Sequence, residues 1–196
     1  MEPEELDPDP VAQFQSWLTE ASGASGGAAS MTLATAARDG RPSARIVLLR
    51  GLDEHGFVFF TNRDSRKGAE LAANPHAALV FHWWALGRQV RVEGEVELIA
   101  RDESEAYWRT RPERSQIAAW ASPQSQPLAD RMELDDAYAA TERRFAGDDV
   151  PLPLFWGGYR VVPAVVEFWL HRDDRLHDRI RYTRSGVGWL RERLAP

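Results

Sequence analysis

Three groups of side chains in this chain are of the kinds that bind anions. The first is Arg45 with Ser65, Arg66 and Lys67, in the stretch RIVLLRGLDEHGFVFFTNRDSRKG. Residues 62–65 lead into a predicted helix over 66–73, stopped by Asn74-Pro75. The first turn of a helix presents unpaired N–H groups and the positive end of its dipole. Two cations there oppose that dipole, and a docked phosphate reconciles them. Arg45, at the start of a predicted strand, reaches the same anion from the sheet; a solvated basic turn is the plainer alternative. The second group is Tyr107, Arg111 and Ser115, spaced by four, which share a helix face if the chain stays helical, with Pro112 kinking it. A guanidinium and two hydroxyls converging there suit a second phosphate, and a bare helix surface is the alternative. The third is Arg175, His177 and Arg179 on a predicted strand over 175–183, all on one side, with Leu176 on the other. Three such groups repel unless an anionic or electron-rich ligand sits among them; otherwise they form a solvated sheet face.

Other chemistries fit less well. The five His residues show neither H-E-x-x-H nor a helical i,i+4 pair, so no metal site is expected. No G-x-S-x-G elbow and no G-x-G-x-x-G occurs, which disfavours a Ser-His-Asp hydrolase and a Rossmann dinucleotide site. The chain has no Cys, which excludes thiolate ligands and nucleophiles and fits the reducing cytoplasm. The net charge of −6 makes wholesale nucleic-acid binding unlikely. No apolar run is long enough to span a membrane, and the acidic N-terminus does not read as a signal peptide. Eight Trp is a high count, and such aromatics line ligand sites or interfaces when the core does not take them.

The elements that must position these groups follow from patterning. At 196 residues with 43% hydrophobic content, the chain suits one domain over 10–196. Residues 1–9, acidic and Pro-rich, are expected to be a disordered tail. An amphipathic helix over 11–21 shows Val11, Phe14, Trp17 and Leu18 on one face, and a flexible loop follows over 22–30. Strands are predicted over 31–36, 46–49 and 57–61, the last two joined as a hairpin by Asp53-Glu54-His55-Gly56. The strand over 76–83 reads as buried on both faces. The strand over 88–99 alternates Val90, Val92, Val96 and Leu98 with charged residues, and Gly94 marks a bulge or a bend. Helices are predicted over 101–110, 114–121 and 128–145, then strands over 158–162, 165–170, 175–183 and 187–193. The expected class is mainly β, an antiparallel barrel with peripheral helices, closed to hide its edges.

RIVLLR, FFTNRDSRKG, GRQVRVEG, YWRTRPERSQIAAWASPQS, PLPLFWGGYRV, EFW, RLHDRIRY and RLAP occur in this order between residue 31 and residue 196. Together they resemble the pyridoxamine/pyridoxine 5′-phosphate oxidase family, the FMN-dependent split-barrel enzymes. The resemblance implies FMN contacts at Arg45, Ile46, Val47, Leu48, Leu49, Arg50, Phe60, Thr61, Arg66, Lys67, Gln89, Gln124, Ser125, Trp169 and Arg179. It implies substrate contacts at Arg50, Tyr107, Arg111, Ser115, Arg175, Leu176 and His177, with Arg175 and His177 catalytic. It further implies a homodimer with FMN at the subunit interface, the 124–125 loop and the Trp169 strand reaching over from the second subunit. The implied reaction takes a small phosphorylated substrate to pyridoxal 5′-phosphate, with molecular oxygen as acceptor and peroxide released. Three features depart from the family pattern: Arg50 stands where Lys is usual, Phe60 where Tyr is common, and an acidic tail where a basic, Tyr-containing segment covers the substrate. Two further readings are a related split-barrel flavoenzyme acting on a phenazine precursor and a non-catalytic flavin-binding protein.

Overall fold

The computed structural model describes residues 1–24 and 26–196. Ser25, part of the stretch expected as a flexible loop, lies outside the described residues. Among the described residues nine strands form one antiparallel sheet: β1 (Ser30–Ala36), β2 (Pro42–Leu48), β3 (Gly51–Asp53), β4 (Gly56–Asn62), β5 (His76–Trp83), β6 (Arg88–Leu98), β7 (Trp156–Leu170), β8 (Asp178–Ser185) and β9 (Gly188–Arg193). Among the described residues the five α-helices are α1 (Pro10–Ala24), α2 (Arg66–Ala73), α3 (Arg101–Thr110), α4 (Glu113–Ala121) and α5 (Arg131–Arg144).

The strand order is β2-β1-β5-β6-β7-β4-β3, with β8 and β9 branching from β7. The branch exists because β7 is long enough to serve two neighbours. Its first half pairs with β4, from Trp156 opposite Asn62 to Val161 opposite Phe57. Its second half pairs with β8, from Val165 opposite Thr183 to Leu170 opposite Asp178. Between them the register with β6 slips at Glu93/Gly94, facing Pro163. Gly94 is required at that bulge, because a Cβ there would overlap the Val162 carbonyl. The two halves diverge there, so the sheet is an open, split barrel.

One face of the sheet packs on α1, whose buried Gln13, Phe14, Trp17 and Ala21 recur at helical spacing. Phe14 meets Phe57 and Phe81 edge-on at 4.9 and 4.6 Å, and Trp17 meets Phe168 at 5.1 Å. A second core, of Trp108, Ile117, Phe145, Val150, Leu152 and Trp156, fixes α3 and α4 beside the start of β7. No helix among the described residues is long and apolar enough to cross a membrane.

Five expectations change. Residues 1–9 are not a loose tail: Leu6 is buried, Arg191 donates to the Pro3 and Leu6 carbonyls, and Arg193 pairs with Glu2 at 2.7 Å. The acidic segment is held by the arginines of β9. The 46–49 and 57–61 strands do not form a hairpin; β2 runs along β1, and the hairpin partner of β4 is the short β3. β5 buries only alternate residues. The 175–183 strand starts only at Asp178, because Asp174 accepts the Leu176 N–H and Arg175 takes a left-handed φ of 63°. The one-side alternation of Arg175, Leu176 and His177 therefore does not hold. The predicted strands over 158–162 and 165–170 are one strand, β7.

Candidate functional site

Helix α2 starts at the end of β4, and its placement depends on two small features. Ser65 caps it, its Oγ accepting from the Gly68 N–H. Gly68 lies against the Arg63 carbonyl so closely that a Cβ would overlap it. This seats Lys67, which is only 8% exposed, with its ammonium pointing at neutral oxygens: Gln124 Oε1 at 2.9 Å, Thr61 Oγ1 at 3.2 Å and Ser65 Oγ at 3.3 Å. Burial and then the charge of Arg45 lower its pKa from the ordinary lysine value, with Glu70 acting the other way.

Lys67 opens onto a cavity of about 710 Å³. Strand β2 lines it with Arg45, Ile46, Val47 and Leu48, followed by Arg50; β4 contributes Phe60 and Thr61; Tyr107, Arg111 and Ser115, with Gln124 beside Lys67, complete the lining. Among the described residues, four cationic ones line this space, Arg45, Arg50, Lys67 and Arg111, and no Asp or Glu does. In a chain of net charge −6 that is a local reversal of sign. At the far end the guanidinium of Arg111 lies over the Trp156 and Trp108 rings, at 4.7 and 5.1 Å. It donates to the Ser115 carbonyl at 3.1 Å, and its other terminal nitrogen is buried with no partner. Burial lowers the Arg111 pKa, Tyr107 acts against that, and Arg50 adds to it. Phe60, Tyr107 and Trp156 lie nearly parallel, Phe60 and Tyr107 with centroids 4.0 Å apart.

The structure thus brings together Arg45, Ile46, Val47, Leu48, Arg50, Phe60, Thr61, Lys67, Tyr107, Arg111, Ser115 and Gln124. Leu49 instead packs into the main core, its backbone N–H donating to the Ala29 carbonyl. Arg66 does not line the cavity; it is 64% exposed and paired with Glu70 at 2.9 Å. Ser125, at a φ of 72°, follows Gln124 but does not line the cavity. Gln124 was expected from a second subunit. Its contacts with Thr61 and Lys67 are within one chain, because the turn after α4 folds back over α2.

The remaining expected residues form a second patch. Gln89, Trp169 and Arg179 stand side by side across β6, β7 and β8. The His177 ring is 4.6 Å from Trp169, and its Nδ1 accepts the Arg172 N–H at 3.1 Å. That bond leaves the proton of the neutral ring on Nε2, as a donor. Arg179 is held by both oxygens of Glu167, at 2.9 and 3.1 Å. Trp156 in the cavity and Trp169 in the patch lie at opposite ends of β7, about 40 Å apart along the strand. One chain does not bring the two sets together.

Sequence reasoning missed Trp156 and Glu70. The motif around Trp156 was visible, but its ring's place beside Arg111 is a tertiary fact. Glu70 left a signal, its i,i+4 spacing from Arg66.

A split antiparallel barrel with a cationic cavity beside a capped helix start is a protein built to hold a phosphorylated cofactor. Comparison with known proteins agrees. Residues 24–143 match the pyridoxamine 5′-phosphate oxidase family, and residues 156–196 match the pyridoxine 5′-phosphate oxidase C-terminal dimerisation region. The pyridoxine/pyridoxamine 5′-phosphate oxidase of Rubrobacter xylanophilus is 56% identical over 191 residues, 97% of this chain and 88% of that one. The protein of the same name from Granulibacter bethesdensis is 52% identical over 194 residues, 96% of this chain and 91% of that one. Among solved structures, PhzG from Burkholderia lata 383 in complex with tetrahydrophenazine-1-carboxylic acid superposes with a TM-score of 0.94 at 32% identity, covering 100% of this chain and 98% of that one. The chain belongs to the pyridoxamine 5′-phosphate oxidase family and is an FMN-dependent oxidoreductase. The residues present fit that cofactor: a buried ammonium with only neutral partners answers a phosphate, and the exposed Ile46 and Leu48 offer an apolar edge to a flat ring.

Proposed function

We propose that the chain oxidises pyridoxamine 5′-phosphate or pyridoxine 5′-phosphate to pyridoxal 5′-phosphate, with molecular oxygen as the final acceptor. The observation that carries this reading is the two-ended cationic cavity, with Lys67 and Arg45 toward one end and Arg111 at the other. Two anionic groups are needed to balance it, one from FMN and one from the substrate. Lys67, Arg45 and Arg66 would hold the FMN phosphate, with Thr61 and Gln124 fixing the ammonium. Arg111, Tyr107, Ser115 and Arg50 would hold the substrate phosphate.

The second patch completes the site from a partner chain. Residues 156–196, the dimerisation region, contain Trp169, Arg175, His177 and Arg179. In the homodimer these residues close over the partner's cavity, placing FMN at the interface. Arg175, on its left-handed turn, and His177, with its Nε2–H as donor, would orient the substrate ring. Bound FMN supplies a two-electron acceptor that oxygen regenerates, releasing hydrogen peroxide. The alcohol substrate loses two electrons and two protons to become the aldehyde; the amine becomes an imine, which water hydrolyses to the aldehyde and ammonia. The protein contributes position, charge and exclusion of water.

A second reading rests on the likeness to PhzG and on the parallel Phe60, Tyr107 and Trp156 rings, which suit a flat polycyclic acid. Turnover of the two vitamer phosphates, followed by aldehyde and peroxide formation, separates the readings. Stoichiometric peroxide and aldehyde support the first. Turnover of a reduced phenazine carboxylate with neither vitamer oxidised supports the second.

A further inference from the structure

Beneath the cavity wall lies one carboxylate that the proposed chemistry does not use. Glu70, on α2, is 7% exposed. Its Oε2 accepts from Thr35 Oγ1 at 2.5 Å, Ser43 Oγ at 2.6 Å and Arg45 at 3.1 Å, and its Oε1 accepts from Arg66 Nε at 2.9 Å. Burial pushes its pKa up, but the bonds from Ser43, Thr35, Arg66 and Arg45 outweigh that and hold it at about 2. Glu70 therefore carries a full negative charge at any working pH.

We propose that Glu70 is a positioning residue for the cofactor phosphate: its buried carboxylate aims Arg66 and locks Arg45. The proposal rests on the assignment of the FMN phosphate to Arg45, Arg66 and Lys67. The two arginines are handled differently. Both terminal nitrogens of Arg45 are engaged, by the Leu33 carbonyl, Thr35, Ser43 and Glu70. Arg45 is thus part of the wall and contributes a fixed positive field. Arg66, 64% exposed, is gripped only through Nε, so its two terminal nitrogens remain for a ligand. A long exposed side chain loses rotamer freedom when it binds, and a tether at Nε removes much of that loss beforehand. Charge supports the same role. Arg45, Arg66 and Lys67 less Glu70 leave two positive charges, the complement of a phosphate monoester near its dianion.

The amide of Glu70→Gln can keep its oxygen toward Thr35, Ser43 and Arg45. It then turns its NH2 toward Arg66 Nε, donor against donor, and releases that side chain. The test measures FMN and riboflavin affinity by fluorescence quenching on full-length, flavin-stripped protein, for wild type, E70Q, R66A and E70Q/R66A. E70Q is expected to weaken FMN about tenfold, leave riboflavin unchanged, and add nothing in the R66A background. Equal weakening of FMN and riboflavin overturns the proposal and makes Glu70 a strut between α2 and the sheet. Additive losses in the double variant also overturn it. If R66A itself keeps the wild-type preference for FMN over riboflavin, the phosphate assignment fails first. Should E70Q not fold, E70D keeps the charge but withdraws it from Arg66, and the same losses are expected.

Discussion

Lys67 Nζ stands 2.9 Å from the side-chain oxygen of Gln124, 57 residues further along the chain. The contact clips the turn after α4 onto the start of α2, and it gives a buried ammonium a neutral partner instead of a carboxylate. A buried cation without an opposite charge is costly unless a ligand provides one. Replacing Lys67 by Met should therefore have opposite effects on binding and on stability. FMN affinity should fall roughly 10- to 150-fold, the range for a lost charged hydrogen bond, with riboflavin affinity unchanged. The flavin-free protein should melt no lower than wild type. Flavin titration and calorimetry check both; a large fall in Tm with FMN affinity intact would remove Lys67 from the phosphate site.

Glu70 sets an acid limit on the fold. Its folded pKa of about 2 lies below the ordinary 4.5, so its stabilisation is fully present above 4.5 and is lost as pH falls toward 2. The shift corresponds to about 3 kcal/mol. In urea melts of the flavin-free protein, wild type should lose about 2 kcal/mol more stability than E70Q between pH 5 and pH 2.5, most of the full amount. Parallel pH curves would show that the carboxylate is not held as the geometry has it.

Gly68 tests how tightly the site depends on backbone contact. A Cβ there meets the Arg63 carbonyl, and Arg63 cannot yield easily because its N–H is bound to the Phe155 carbonyl at 2.6 Å. Gly68→Ala must shift α2, at about 1–3 kcal/mol. Because Lys67 is the adjacent residue, FMN affinity should fall along with Tm. A variant that melts lower yet binds FMN normally would show that α2 moves without its first turn.

Local signals made much of this fold legible. α2, β5 and α3 begin and end where Ser65, Asn74-Pro75 and the period of apolar residues place them. The Gly94 bulge was visible as a lone glycine in an alternating strand. Pairing was not visible: RIVLLR and GFVFF are neighbours in sequence, yet β2 joins β1 and β4 joins β7. That choice is made by tertiary contacts, and no turn residue encodes it. The Arg175 turn was hidden because a strand pattern in RLHDRIRY outweighed the Asp173-Asp174 turn signal. Gln124 was assigned to the cavity but to the wrong subunit, since no sequence pattern says whether a loop closes on its own chain.

The separation of Arg111 from Arg175 gives the sharpest test of the shared site. Arg111 lies in the cavity formed by α3, α4 and β4, while Arg175 lies in the turn before β8, within the dimerisation region. Arg111→Ala should raise KM for a vitamer phosphate by roughly 10- to 150-fold with FMN occupancy intact. With Arg175 at the reacting end of the substrate, as proposed, Arg175→Ala should lower kcat as well. Arg175→Gly should match it in kcat without lowering Tm, because glycine accepts the left-handed φ that alanine resists. If each site is built from both chains, a hybrid dimer of one R111A and one R175A chain has one site with both defects and one with neither. Assayed at a substrate concentration far below the KM of R111A, random mixing of the two impaired chains should then recover roughly a quarter of wild-type activity, because half the dimers are hybrids with one intact site of two. Differently tagged chains, purified through both tags, should show roughly half. Mixtures no more active than the single variants would mean that each chain completes its own site, and the interface assignment would fall.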